Sequence, residues 1–555
     1  MTTSAGPGPE ETGDYTHAQV LTILAGLLLG MFLGALDQTI VSTSIRTIAD
    51  DLDGLSVQAW VTTAYLITST IATPIYGKLG DLYGRKKLFM FAISVFVVGS
   101  VLCTFATSMY ELAAFRAFQG IGAGGLFTLV LAIIGDIVSP RERAKYTGYF
   151  MATFATSSVL GPVVGGFFAG QDQLLGVTGW RWVFLVNVPV GIAALVVVFR
   201  TLHLSHRPSE AHIDWWGASA LVVGLVPLLT VAEQGRDWGW GSGRSVTAYV
   251  VGGLGLVGFY FAERAMGDDA LIPLRLFRIR AAAVTILASI AIGAAMFGGI
   301  LILPLYMQIV HGASPTEAGL LMLPMVLGMM SGAMVSGQVI SRTGRTRVFP
   351  RVGSALLVVA LLLLSTTSAD TSLLVIDAFM LVLGVGLGNC MQPLLLIMQS
   401  AVPPSEIGVA TSSATFFRQI GGTLGVAVFL SILFSTVGGN IAEEFRKAAG
   451  TEAFQQVVAH PTAADAAVLG NSGAADQVQG DSSFIDTLSP ALAHPFKQGF
   501  AESMDVVFLL GAGVGLIAFL LLLLMPRVEL RATSAAAATR AQVGAAPAAP
   551  MDQEG

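Results

Sequence analysis

The feature that most constrains this chain is a succession of apolar stretches, each long enough to cross a bilayer, running from one end to the other. A helix needs about 20 mostly apolar residues to span the hydrocarbon core. Windows of that kind fall near 20–41, 59–76, 88–108, 110–134, 146–169, 182–200, 215–234 and 246–263. Six more follow near 282–307, 317–338, 348–367, 373–397, 407–434 and 504–525. Only 12% of the 555 residues are charged and 54% are hydrophobic, too little charge to cover a water-facing surface. A soluble enzyme and a transcription factor are thereby excluded. The 64 glycines fit close helix packing in lipid. The expected fold class is an all-α polytopic membrane protein with fourteen transmembrane helices.

Orientation follows from counting Lys and Arg on alternate sides, because cytoplasmic loops carry the excess. One set of loops holds 20 of the 29 basic residues, the other set 7, and Arg116 and Arg418 lie inside spans. Both termini are therefore expected in the cytoplasm. The first 16 residues have no basic segment before the first apolar run, so that run is expected to remain as a span. Gly77, Gly84, Arg85, Leu88 and Phe89 recur as Gly337, Gly344, Arg345, Val348 and Phe349, a register that predicts two parallel six-helix halves. The expected organisation is a disordered cytoplasmic segment at 1–17, a first six-helix bundle at 18–205 and two inserted helices at 206–265. A second six-helix bundle follows at 266–530, with a partly ordered extracytoplasmic loop at 435–502, and a disordered cytoplasmic tail occupies 531–555.

Within the spans the polar residues stand out. Asp37 is the one carboxylate expected well inside a span of the first half, about 6 Å from the outer end of its helix, and Arg116 lies about 9 Å inside the fourth. A charge in a membrane helix is costly and usually faces a water-filled path. The pair reads either as a proton-coupling site or as a structural ion pair. Asp136, at the inner end of the fourth span, reads either as a partner for Arg85 or as a solvated helix-end acid. Gln38, Gln119, Asn389, Gln392, Arg418 and Gln419, with Phe416, Phe417, Met322, Met325, Met391 and Met398 nearby, read as polar points in an adaptable wall suited to amphipathic ligands. No histidine falls mid-span, so a carboxylate would have to carry any proton.

The first inner loop, Gly77-Lys78-Leu79-Gly80-Asp81-Leu82-Tyr83-Gly84-Arg85-Lys86, resembles the signature of the major facilitator superfamily between helices 2 and 3. Leu112, Arg116, Gln119, Gly120 and Gly122 resemble the helix-4 motif of that family, and Gly161-Pro162-Val163-Val164-Gly165-Gly166 resembles its antiporter motif. Leu36 to Val41, Trp180 to Pro189 and Arg418 to Gly422 are similar to the fourteen-helix drug:proton antiporters of the EmrB/QacA type. The chain departs from the pattern at Ser44-Ile45-Arg46, at Ser157 and at Ser341.

The resemblance implies a major facilitator fold of two six-helix bundles plus two inserted helices. It implies a proton-coupled exporter of small lipophilic or cationic compounds in a bacterial plasma membrane. In that family Asp37 and Arg116 would couple protons. Gly77, Asp81, Gly84, Arg85 and Asp136 would form an inner gate, and Gly161, Pro162, Gly165 and Gly166 a hinge. Export of a lipid or endogenous metabolite is the alternative, and a non-transporting membrane sensor or scaffold the remaining one. No phosphate-binding loop or metal-spaced Cys/His cluster occurs in the sequence, so no cofactor, metal or nucleic-acid partner is expected.

Overall fold

The structure, a computed structural model, describes residues 17–52, 59–138, 140–202, 214–403, 406–469 and 483–528. The segments expected to be disordered, 1–17 and 531–555, lie outside these residues except for His17. The first group of helices comprises α1 (His17–Asp51), α2 (Ala59–Tyr83), α3 (Arg85–Cys103), α4 (Met109–Ile137) and α5 (Pro140–Ala169). It closes with β1 (Gln173–Leu174) paired antiparallel to β2 (Val177–Thr178), then α6 (Trp182–Leu185) and α7 (Asn187–Thr201). Helix α4 lies against α2 and α3, while α1 packs on α5 and α7. Glycines make this possible: a side chain at Gly120 or Gly124 of α4 would overlap the α2 backbone at Tyr65 or Ser69.

Two helices, α8 (Trp215–Trp238) and α9 (Gly243–Met266), pair with each other. The second group holds α10 (Arg280–Ile309), α11 (Pro315–Leu321), α12 (Leu323–Thr343), α13 (Val348–Leu364), α14 (Leu373–Ser400) and α15 (Ile407–Ala448). After α16 (Glu452–Ala459) and α17 (Ala463–Leu469), it ends with α18 (Pro490–Leu523). Within it α12 packs on α14, α10 on α15, and α13 on both α14 and α18. The groups meet along α5–α12 and α2–α15. Helix α8 covers the second of these seams, where Leu221 and Leu225 join Ile67, Ile71 and Phe416 in one apolar cluster. Large apolar side chains such as Phe91, Phe261, Leu374 and Leu516 face outward, as lipid-facing residues do.

Among the described residues, eleven helical stretches are long and apolar enough to cross a membrane. The other three predicted spans are helical too. Helix α2 is rich in hydroxyls (Thr62, Thr63, Thr68, Ser69, Thr70, Thr73), α5 is continuously apolar only over Leu160–Ala169, and α13 has just 17 residues. Two spans are broken where a proline follows closely: the sixth between Leu185 and Asn187, the tenth at Met322. The loops after α2 and after α12 both turn through a glycine at positive φ, Gly84 at 94° and Gly344 at 68°, a conformation that other residues adopt at a cost.

The described residues of the 435–502 segment, 435–469 and 483–502, are largely helical. Helix α15 continues unbroken to Ala448 and α18 begins at Pro490, so the two rise beyond the apolar body as a pair and carry α16 and α17. Phe445, Phe454, Phe484 and Phe496 pack edge to face in this cap. Asp465 ties it together, accepting from the Ser489 amide at 3.0 Å and the Thr462 hydroxyl at 2.8 Å. Burial opposes its charge, but these donors outweigh that and hold the carboxyl below its ordinary range.

Two outcomes test this packing. Gly384→Val sets a side chain into the Met325 carbonyl and is expected to destabilise the protein by about 1–3 kcal/mol. Gly513→Ala, which meets nothing within 4 Å, is expected to leave melting in detergent unchanged. For the cap, a lowered pKa means that the Asp465 contribution is complete at neutral pH and is lost as pH falls below the ordinary value of 3.8. Asp465→Ala should therefore raise hydrogen exchange at residues 484–489 at pH 7, matching the wild type only in strong acid.

Candidate functional site

The polar residues of the first group converge at one point. Asp37 of α1 and Arg116 of α4 are 0% and 1% exposed, and Arg116 Nη1 donates to Asp37 Oδ2 at 2.6 Å. The same nitrogen donates to Gln119 Oε1 at 2.5 Å. Asp37 Oδ1 accepts from Gln119 Nε2 at 2.9 Å and from Asn187 Nδ2 at 2.7 Å. Ser100 Oγ of α3 in turn accepts from Gln119 at 2.7 Å and Asn187 at 3.2 Å. The guanidinium lies 4.0 Å from the centre of the Tyr65 ring, a cation–π contact that strengthens with desolvation. The α1 carboxylate is thus bonded from α4 and α7, and α3 is tied in through their amides. Asp37 also lies deeper than expected, eight residues or about 12 Å of rise before Ile45, where the apolar part of α1 ends.

An ion pair out of water survives only when its remaining bonding capacity is filled. Here the Gln119 and Asn187 amides bond the pair directly, and the Ser100 hydroxyl accepts from both amides. Arg116 Nε and Asn187 Oδ1 are the buried atoms of the network left without a partner among the described residues. Asn187, Ser100 and Tyr65 were not singled out from the sequence as site residues. Asn187 carried a usable signal, an amide inside an apolar run. Asp505 of α18 was likewise passed over; it is part-buried and its Oδ1 has no partner among the described residues.

At the end of the body opposite the cap, Arg85 reaches Asp81 at 2.6 Å, Asp136 at 2.6 Å and the Ala132 carbonyl at 2.5 Å. The structure thus brings Asp136 to Arg85, the pairing left open by the sequence. Asp81 uses its second oxygen to accept from the Val409 amide of α15 at 2.9 Å. An acid at the first turn of a helix is stabilised by the amides exposed there, so this contact bonds the first group to the second. Gly408 permits it, since any side chain there would collide with the Asp81 carboxylate, and Gly77 rests on Ser412. Gln399 of α14 donates to the Leu131 carbonyl of α4 at 3.4 Å, adding a second polar bridge.

Of the antiporter motif, Gly161 and Gly165 lie against Thr39 and Ile40 of α1, and the Ser44 hydroxyl donates to the Gly165 carbonyl at 3.2 Å. Pro162 faces Gly319 of α11, in the other group. Gly166 meets nothing within 4 Å, so close packing does not require it. The six residues read as a substrate wall do not assemble as one. Gln119 belongs to the Asp37 network, and Asn389 donates to the Val385 carbonyl of its own helix at 2.8 Å. Gln392 lines a small cavity with Ile134, Phe150 and Ser336. Gln419 accepts from Thr73 of α2 at 3.3 Å, while Gln38 and Arg418 are part-buried. Met325, Met398 and Phe416 are buried in the packing.

A body of apolar helices in two groups, with an ion pair buried in one and polar bridges between them, has the architecture of a transporter. The sequence model of the Major Facilitator Superfamily matches residues 27–426, and the chain belongs to that family. It is 36% identical over 425 residues to the multidrug transporter protein MdtP of Bacillus subtilis, covering 76% of this chain and 77% of that one. It is 33% identical to multidrug resistance protein 3 of the same organism (80% and 86% covered) and 32% to the efflux pump FUS6 of Gibberella fujikuroi (77% of each). Among solved structures, the proton:xylose symporter XylE superposes with a TM-score of 0.58 at 15% identity, covering 95% of this chain and all of that one.

The bridge at Asp81 can be tested directly. Cys103 and Cys390 are buried, so Ser336→Cys provides a reporter in the small cavity. Adding Asp81→Ala or Gly408→Val is expected to raise its labelling by a water-soluble maleimide about tenfold, as loss of a charge-assisted hydrogen bond predicts. Unchanged labelling would show that the contact seals nothing.

Proposed function

We propose that this chain is a proton-coupled exporter of lipophilic compounds, a multidrug efflux antiporter of the fourteen-helix EmrB/QacA type. The observation that carries the reading is the Asp37–Arg116 pair, buried and caged by Gln119, Asn187 and Ser100. The charge of this carboxylate is matched by a single cation on another helix, so a modest movement of α1 against α4 exchanges that partner for a proton. Protonation of Asp37 would cancel the charge attraction, leave Arg116 seeking another acceptor and loosen α1 from α4. A proton taken up on one side and released on the other would then drive the exchange of conformations.

On this reading both termini are cytoplasmic and the membrane is the bacterial plasma membrane. The bundles at 18–205 and 266–530 rock about the hinge at Gly161, Pro162 and Gly165. Asp81, Gly84, Arg85 and Asp136 form the inner gate with the start of α15, a reading supported by the Asp81–Val409 bond between the two groups. The inserted pair within 206–265 covers the α2–α15 seam. A second reading, export of a lipid or a bulky metabolite, draws on the cap: α15 is 42 residues or about 63 Å long, twice the hydrocarbon thickness.

The test is proton flux in inside-out vesicles carrying a preset pH gradient, with lipophilic cations, neutral compounds and sulfonates added in turn. The expected result is collapse of the gradient by wild type and none by Asp37→Asn. An equal response from both would make Asp37 structural and remove the proposed proton carrier.

A further inference from the structure

Arg418 is a cation about a quarter of the way along α15, eleven residues or about 16 Å of rise from Ile407. Among the described residues no carboxylate lies against it; the ion pairs of the second group involve Arg275 and Lys447 instead. Asp37 cannot serve it, being already engaged by Arg116, Gln119 and Asn187. The direction of Arg418 follows from its helix. Gly408, Ser412 and Gln419 face α2, through Asp81, Gly77 and Thr73. Gly421 and Gly425 face α10, against Ile290 and Ala294. At 100° per residue, Thr415 falls between these stripes, opposite Phe416 and Phe417, and hence toward the interior between the two groups, while Arg418 lies one turn on at the α10 edge of that face, its backbone against Gly293 of α10. Arg418 is part-buried there, and Thr415 is buried with a hydroxyl that has no partner among the described residues.

A guanidinium at membrane depth with no carboxylate among the described residues is costly unless water or a visiting anion meets it. Its fixed fork matches a carboxylate or sulfonate with two parallel bonds, and the free Thr415 hydroxyl adds a third donor one turn away. We infer that Arg418 and Thr415 form a subsite for the acidic group of the transported compound, so that the preferred substrates are lipophilic acids rather than cations. The inference rests on the export reading for its purpose. Of the lipophilic and cationic classes that the sequence admits, it selects lipophiles carrying one anionic group, because a cation would meet an uncompensated like charge.

The experiment is equilibrium binding of 2-naphthalenesulfonate and (2-naphthyl)trimethylammonium, matched aromatic bodies of opposite charge, to the full-length protein in nanodiscs without a gradient. Wild type is expected to bind the sulfonate at least tenfold more tightly, the least that a hydrogen bond between charged groups is worth. Arg418→Gln should erase that preference, and Thr415→Val should weaken sulfonate binding alone. Should Arg418→Gln fail to fold, Arg418→Lys keeps the charge without the fork and should retain the preference at lower affinity. Equal binding of the two probes by wild type, or a preference that survives Arg418→Gln, overturns the inference. Binding that follows Arg418 without proton flux in vesicles would instead overturn the export reading and leave the subsite standing.

Discussion

The first group of helices is organised around one buried charge pair. Removing Asp37 and Arg116 from water costs several kcal/mol per ion, and the arrangement around them answers that cost contact by contact. Asp37 comes from α1, Arg116 and Gln119 from α4, Ser100 from α3 and Asn187 from the start of α7. Because each of these groups would be left unsatisfied if its helix moved alone, the helices are held to a common register. The close glycine contacts between α2 and α4 then fix the fifth element against them. The pair is thus a constraint on packing, and moving any one of these helices alone has its largest effect there.

That effect has a direct route to the other end of the body. Helix α4 carries Arg116 and Gln119 at one level and Ala132 and Asp136, the partners of Arg85, at another. The separation is roughly 30 Å of continuous helix. Arg85 positions Asp81, and Asp81 holds the first turn of α15. A rotation of α4 driven at Arg116 therefore reaches the contact between the two groups through bonded neighbours, with no flexible loop between.

Much of this was readable in the sequence, for identifiable reasons. Apolar runs in a chain with so few charges name the helices. Charged residues inside such runs name Asp37 and Arg116, because a charge so costly to hold in lipid persists only where it is paired or used. The breaks before Asn187 and at Met322 were hidden, since a turn in a helix does not alter its hydropathy. Gly408 gave no signal at all: its need for a missing side chain is set by Asp81, whose bond to the next residue, Val409, spans 328 positions. The residues read as a substrate wall are spread over separate contacts in this structure, because residue type does not reveal helix face. Gln119 went to the ion pair and Asn389 to its own backbone.

Helix α15 holds three features on a single rod: the first turn gripped by Asp81, Arg418 about a quarter of the way along, and Glu444 and Lys447 near the cap. It has no internal proline, so it behaves as a lever with unequal arms. A tilt pivoting near Arg418 that frees the short arm from Asp81 swings the long arm in the opposite sense and through a larger arc. The exposed tip of the molecule thereby becomes an amplified dial for the buried contact at its far end. A ligand that grips the tip, an antibody fragment for example, would brake the whole lever without entering the membrane.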